Sequence, residues 1–346
     1  ANHNNWVRKG YEVAASDIVQ SELLTIDDGN EAALSAMSEW KKRHSAFNEA
    51  ATSSPAAVAL QENGLPIIPE LSPMIKEKAE NASAIALPGV EIVYILTPPG
   101  TPQYDLRARI VAEAIQIDPS RKFFTGIYYS EWDTIKKLFK LLRIPTQHMP
   151  ELRGTRNTRG KYALWISKLL VIAFGVQFKV PYLIMSEDDV TWSKTLRHRL
   201  SSALPIADAL DKDAEKVDTR EDASKRTGGL LKLSKWGEGY FFSYYAARNF
   251  IKEVYKTSIN RHSDTWIRDV MKPVHHGVPY VLAVKPNMGN VYTTHGVNNK
   301  VSFNYDPIRE GALPLLDMLD RGEFFTSRQD RNLTAVAHRL TKDVLL

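Results

Sequence analysis

The sequence predicts an α/β fold in which helices flank a mostly parallel sheet. The segment VEIVYILTP (Val90 to Pro98) is β-branched and apolar and ends at the breaker run TPPGTP, as a buried strand does. KFFTGIYY (Lys122 to Tyr129) and VPYLIM (Val180 to Met185) have the same character. Stretches with helical periodicity separate these runs. Strands that alternate with helices of ten or more residues form parallel βαβ units.

The remaining elements follow from periodicity and breakers. Helices are expected at Tyr104 to Ile115, Glu131 to Leu142 and Arg159 to Phe174, and a later strand at Pro279 to Pro286. The charged segment Asp208 to Lys225 is expected to be a solvated loop or helix. Residues 1–80 carry apolar side chains at helical spacing and predict a helical N-terminal arm or stem. The resulting division is an arm (1–80), a main domain (81–310) and a helical C-terminal tail (311–346).

Composition excludes several classes of protein. The 346 residues include 45 basic and 40 acidic side chains, a net charge of +5, with 43% hydrophobic and 25% charged residues. That usage is globular, and a charge of +5 over this length is weak support for nucleic-acid binding. The absence of cysteine excludes disulfides, thiolate metal sites and a cysteine nucleophile. The most apolar stretch, Leu164 to Val176, is shorter than the ~20 residues of a bilayer span and contains Lys168.

An acidic motif, Ser186-Glu187-Asp188-Asp189-Val190, follows the predicted strand that ends near Met185. Three consecutive carboxylates at the end of a buried strand repel one another, and a divalent cation would compensate their charge. Open α/β sheets hold ligands at the carboxyl ends of their strands. The alternative is an exposed acidic turn, with Asp189 as the N-cap of a helix that begins near Trp192.

A basic group opens the helix that precedes this strand. Arg153, Arg156, Arg159 and Lys161 stand where the helix dipole disfavours cations. Binding of a phosphate or carboxylate would explain them, since the arginine fork matches both anions. The alternative is a solvated basic turn.

Three downstream segments offer further candidates. Glycines flank Glu238 in WGEGY (Trp236 to Tyr240). They would allow the backbone to approach a ligand closely; the alternative is a tight turn beside core aromatic residues. Asp264 is expected to be an N-cap, with Asp269 about one turn later, and either could be a general base. His295, before Gly296, is either a metal ligand or an ordinary polar residue.

Taken together in their order along the chain, these motifs resemble those of a glycosyltransferase with the GT-A (Rossmann-like) fold. EDDV, W-G-E-G-Y-F-F-S, D-T-W-I-R-D and K-P-N…H-G most resemble the N-acetylglucosaminyltransferase IV family. The second resemblance is to the lipopolysaccharide and collagen galactosyltransferase family, which shares EDDV and a downstream glycine–tyrosine–serine segment. The resemblance covers about Val90 to Asn299, and the cysteines common in Golgi members are absent.

The resemblance implies metal-dependent transfer of a hexose or N-acetylhexosamine from a nucleotide sugar, UDP-linked in many such enzymes, to a hydroxyl of a glycan or glycoprotein. It assigns Mn²⁺ or Mg²⁺ to Glu187, Asp189 and His295. The donor is assigned to Thr97, Arg156, Arg159, Lys161, Asp188 and Trp236. The candidate catalytic carboxylates are Asp264, Glu238 and Asp269.

Two other readings stay open. One is a basic α/β module that binds nucleic acid or an acidic polymer through Arg153 to Lys161 together with Arg197, His198 and Arg199. The other is a structural or coat-like protein. The start at Ala1 leaves room for an upstream membrane anchor, and Asn81 and Asn332 begin glycosylation sequons. A secretory lumen and, given the lack of cysteine, the cytoplasm both remain possible compartments.

Overall fold

The computed structural model describes residues 64–65, 87–101, 104–118, 120–146, 158–193, 195–216, 227–235, 237–278, 280–282 and 312–346. Within these ranges the chain is α/β, with helices on a mixed six-stranded sheet, and this confirms the predicted fold class. Apart from residues 64–65, the predicted N-terminal arm (1–80) lies outside the described residues.

The first half of the fold alternates strands and helices. Its elements are β1 (Val90–Leu96), α1 (Tyr104–Ile117), β2 (Arg121–Thr125), a 3₁₀ turn (Tyr129–Glu131), α2 (Trp132–Leu142), α3 (Thr158–Gln177), β3 (Tyr182–Glu187) and β4 (Val190–Trp192). The second half comprises α4 (Leu196–Lys216), β5 (Leu230–Lys232), β6 (Gly239–Ser243), α5 (Tyr244–Thr257), α6 (Ser263–Trp266), a π turn (Ile267–Met271), β7 (Val274–His275), β8 (Tyr280–Leu282), α7 (Pro314–Asp320) and α8 (Leu333–Thr341).

The sheet order is β2-β1-β3-β6-β5-β7. β1 lies between β2 and β3 and is parallel to both, whereas β6 runs antiparallel to β3 and β5, and β7 is parallel to β5. β4 and β8 form a separate antiparallel pair. In the β1–β3 register Ile95 lies opposite Glu187, so the carboxyl ends of these two strands are adjacent.

The core consists of two apolar clusters, one on each face of the sheet. Val93 and Ile95 of β1 enter one cluster, and the alternate residues Ile92 and Tyr94 enter the other, as the two-residue period of a strand requires. α3 is apolar on all sides because α2, α5 and α7 pack around it.

Several element boundaries differ from the predictions. The strand expected at Lys122 to Tyr129 is shorter: it runs from Arg121 to Thr125, and Tyr129 already belongs to a 3₁₀ turn. Trp192 lies in β4, and the helix expected to begin near it, α4, begins at Leu196, so the alternative in which Asp189 is its N-cap is wrong. α4 reaches Lys216, which makes the first half of the charged segment Asp208 to Lys225 helical.

The C-terminal segment packs onto the main core cluster. Leu315, Leu319, Phe324 and Leu333 are all buried in it. No helix in the described ranges has both the length and the apolar character that a membrane span requires.

Candidate functional site

The acidic motif lies at the junction of β1 and β3. Asp188 is only 2% exposed, and the backbone N–H of Thr97, directly after β1, donates to its Oδ2 at 2.6 Å. Arg107 of α1 pairs with Asp188 Oδ1, and its Nη2 lies 3.4 Å from Asp189 Oδ2. The structure therefore brings together Thr97, one of the residues assigned to the donor, and the acidic motif.

Asp189 has an incompletely satisfied carboxylate. Its Oδ1 is buried and is the one carboxylate oxygen among the described residues that is buried without a hydrogen-bond partner. Burial and repulsion from Glu187, opposed by Arg107, raise the pKa of Asp189 to about 7. A group that supplies positive charge at Oδ1 would stabilise the ionised carboxylate.

Lys168 of α3 connects the acidic motif to a second carboxylate. Its side chain is 1% exposed, and its Nζ lies 2.8 Å from Glu187 Oε1 and 2.6 Å from Asp264 Oδ1. Burial disfavours the ammonium, but the two carboxylates outweigh that cost and raise the pKa of Lys168. Glu187 and Asp264, 77 positions apart in the chain, are held together by this lysine.

Asp264 lies in the first turn of α6, whose N-cap is His262, so the prediction that Asp264 is the N-cap is wrong. Asp264 Oδ2 is instead 3.4 Å from His262 Nδ1. Burial lowers the pKa of His262, which favours the neutral imidazole. The hydroxyl of Tyr240 is buried beside this group without a hydrogen-bond partner among the described residues. Burial, and after it the negative charge of Asp264, raises the pKa of Tyr240.

The turn between β5 and β6 is tightly packed against the site. Gly237 has φ +107°, and a Cβ there would lie 2.8 Å from both Asp264 Cβ and the Tyr240 hydroxyl. The glycine is thus required by contact with the protein's own side chains, in keeping with the alternative of a tight turn. The carbonyl of Glu238 accepts a 2.9 Å hydrogen bond from the Glu187 N–H, so Glu238 is adjacent to the acidic motif.

Of the remaining candidate residues from the sequence, Asp269 and Arg159 make their described contacts outside the acidic motif. Asp269 accepts hydrogen bonds from Arg268 (2.7 Å) and Arg261 (2.9 Å), which lower its pKa and so make it a weaker base. The guanidinium of Arg159 lies 5.4 Å from the Trp132 ring centroid.

Lys161 is buried, and its charge contributes to the lowered pKa of His262, which indicates that it is near the site. Arg156, Trp236 and His295 lie outside the described residues.

The candidate residues predicted from the sequence do not include Arg107 and Lys168, the two cations that pair with the acidic motif among the described residues. Lys168 does carry a signal in the sequence, because a lysine on a fully buried helix requires a carboxylate partner. Arg107 had no comparable signal, because an arginine in the first turns of an amphipathic helix is ordinary.

The described residues contain no group of three or more histidine, aspartate or glutamate side chains arranged to hold a metal ion. Glu187 and Asp189 provide two carboxylates, and Mg²⁺ or Mn²⁺ is commonly bound by one or two carboxylates together with substrate phosphates. The arrangement can therefore hold a hard cation jointly with a ligand and place a carboxylate, Asp264, beside it. No protein-family model matches this sequence, and no curated protein matches it either.

Proposed function

We propose that the chain is a metal-dependent glycosyltransferase that transfers a sugar from a nucleotide-sugar donor, UDP-linked, to a hydroxyl of a glycan or glycoconjugate. The observation that carries the proposal is the buried Oδ1 of Asp189, which has no hydrogen-bond partner among the described residues and lies on the turn that follows β3 beside the end of β1. Ligands of open α/β sheets bind at such strand ends.

The charge balance of the site fits a divalent cation. Among the described residues, the ion pairs of the site join four carboxylates (Glu187, Asp188, Asp189 and Asp264) to two cations, Arg107 and Lys168, so these six groups carry two more negative than positive charges when all are ionised. Neither cation, nor any other described residue, donates to Asp189 Oδ1. Oxygen ligands of this kind suit Mn²⁺ or Mg²⁺.

In this proposal each residue of the site has its own role. Glu187 and Asp189 would hold the cation, which neutralises the charge of a leaving nucleoside diphosphate when it is bound. Arg107 fixes the Asp188 and Asp189 side chains, and Asp188 fixes the backbone at Thr97. Lys168 holds Asp264 Oδ1, so that the carboxylate keeps one orientation beside the acidic motif.

Of the three candidate bases, Asp264 is the one whose carboxylate lies beside the acidic motif, since Lys168 joins it to Glu187. Asp269 is engaged by two arginines, and Glu238 contributes a backbone carbonyl to the site. A carboxylate within reach of an acceptor hydroxyl can accept its proton during attack on the sugar. The nucleic-acid alternative has less support, because Arg197 of its basic face is paired with Asp118.

The test is binding and turnover of nucleotide sugars. We expect Mn²⁺ and a UDP-sugar together to raise the melting temperature more than either alone, and slow release of UDP to require the metal. Asp189→Asn should abolish both effects, whereas the exposed Asp213→Asn on α4 should leave them unchanged. Unchanged melting across a panel of nucleotide sugars, with and without Mn²⁺, would refute the proposal.

A further inference from the structure

A cavity of about 530 Å³ lies between the edge strand β2 and the segment that leads into α8. The N–H of Thr125 at the end of β2 donates to the Arg331 carbonyl at 2.8 Å, which ties the two walls together. The volume is in the range of small-molecule sites, roughly 300–1,000 Å³. The cavity therefore has both a defined frame and sufficient room for a ligand.

Hydroxyl, amide and guanidinium groups line most of this cavity. The polar lining residues are Thr125, Thr326, Gln329, Arg331, Asn332 and Arg339, together with one carboxylate, Asp330. Such groups suit a polar ligand with hydrogen-bonding oxygens. The lining predicts a hydrophilic occupant.

Arg331 is held rigidly in the cavity wall by aromatic rings. Its guanidinium carbon lies 4.6 Å from the ring centroid of Phe124 and 4.4 Å from that of Phe174. Its Nη1 is buried and makes no hydrogen bond to any described residue. Burial lowers the pKa of Arg331 to about 10, so the guanidinium remains charged at neutral pH.

The neighbouring carboxylates already have other partners. Glu91 pairs with Lys122 at 3.0 Å and with Arg328 at 2.9 Å. Asp330 Oδ2 accepts from the backbone N–H and the hydroxyl of Thr326, both at 2.8 Å. Within the described part of the chain no carboxylate forms an ion pair with Arg331, although the charges of Glu91 and Asp330 act on it. Arg331 therefore lines the cavity with a guanidinium that has no direct ion-pair partner among these residues.

We propose that this cavity binds a small polar ligand through a phosphate or carboxylate group that pairs with Arg331. The planar guanidinium can donate two parallel hydrogen bonds to either oxyanion, and its fixed position lowers the entropy lost on binding. The site is separate from the acidic motif, and the proposal holds whether or not the chain transfers sugars.

The experiment is a nuclear magnetic resonance titration of the full chain with inorganic phosphate, with acetate, and with glucose as a neutral probe. We expect saturable shifts of amide signals in residues 326–339 with at least one anion and none with glucose. The anion that binds more tightly identifies the recognised group.

Two variants and a matched control decide the role of Arg331. Arg331→Gln should weaken anion binding by about tenfold or more, as expected for a charge-assisted hydrogen bond. Arg328→Gln removes an exposed arginine three positions earlier and should leave affinity unchanged. Ala335→Leu fills the cavity from an exposed position of α8 and should also abolish binding, and it decides the question if Arg331→Gln does not fold. Absence of saturable shifts, or full affinity in Arg331→Gln or Ala335→Leu, would overturn the proposal.

Discussion

At the scale of single residues, Lys168 is the clearest example of a side chain whose meaning depends on its surroundings. In sequence it interrupts the most apolar stretch of the chain; in the structure it is 1% exposed between Glu187 and Asp264. An ammonium in that position costs desolvation energy that only its two carboxylate partners repay. Asp189 shows the opposite imbalance, a buried carboxylate oxygen for which the described residues provide no donor.

Replacing Lys168 by methionine tests how strongly this lysine holds the site together. The substitution keeps the length of the side chain but leaves two carboxylates facing each other without their cation, so we expect a loss of about 3–5 kcal/mol in the free energy of unfolding. Urea denaturation measures it. Lys122→Met, which removes a half-exposed partner of Glu91, should cost about 1 kcal/mol or less. Equal losses in the two variants would contradict a structural role for the Lys168 ion pairs.

At the scale of elements, the predicted strands and helices of the first half are confirmed to within a few residues, because each has a strong periodicity or a breaker beside it. The short strands are harder to predict from sequence. β4 has three residues and ends at Trp192, near which the alternative reading of the acidic motif starts a helix, and no strand is predicted at β6. A strand of this length is defined by its partner, β8 for β4 and β3 for β6, and not by a pattern of its own.

Asp118 links the end of α1 to β2 and α4 through hydrogen bonds. It follows α1, is fully buried, and accepts hydrogen bonds from Arg121 of β2 (3.3 Å) and from Nε of Arg197 of α4 (2.9 Å). Burial alone would raise the pKa of Asp118, but Arg197, Ser120 and Arg121 lower it overall. Because the folded pKa is below the unfolded value, the stabilisation is fully present above about pH 4 and is lost as the pH falls through the folded pKa.

We therefore expect Asp118→Asn to lose about 3 kcal/mol in the free energy of unfolding at neutral pH, since it leaves two buried guanidinium groups without their anion. The difference from the parent chain should shrink progressively below about pH 4. Urea denaturation at a series of pH values measures it, with Asp213→Asn as a surface control. A difference that stays constant down to acid pH would show that Asp118 acts by shape and not by charge.

At the scale of the whole molecule, the C-terminal segment is part of the same packing unit as the sheet. Leu333, Val336 and Ala337 of α8 are buried in the cluster that also contains β1 and α3 side chains. The Thr125 N–H bonds to the Arg331 carbonyl, which closes the edge of β2 at its last residue. The tail predicted to begin at residue 311 is separate in chain order only, because its side chains pack into the same core as those of the main domain.

Removal of residues 332–346 tests this continuity. We expect a loss of about 5 kcal/mol or more in the free energy of unfolding, because burial of each large apolar side chain contributes about 1.5–3 kcal/mol and the deletion also opens the core to water. Thermal or urea denaturation measures it. Removal of residues 343–346 alone, where Leu345 is 82% exposed, should have little effect. Equal stability of the two truncated chains would show that α8 is dispensable to the core.

The sequence alone determined the fold class, because apolar β-branched runs of strand length can be buried only when helices cover both faces of the sheet. It also located the acidic motif, since three adjacent carboxylates after a buried strand are costly without a compensating charge. Only the tertiary structure decided which charges compensate them. Arg107 and Lys168 meet the motif because β1 and β3 are neighbours and because α3 packs beside both Glu187 and Asp264. Ion pairs across such distances depend on the sheet order, and no local pattern in the chain encodes that order.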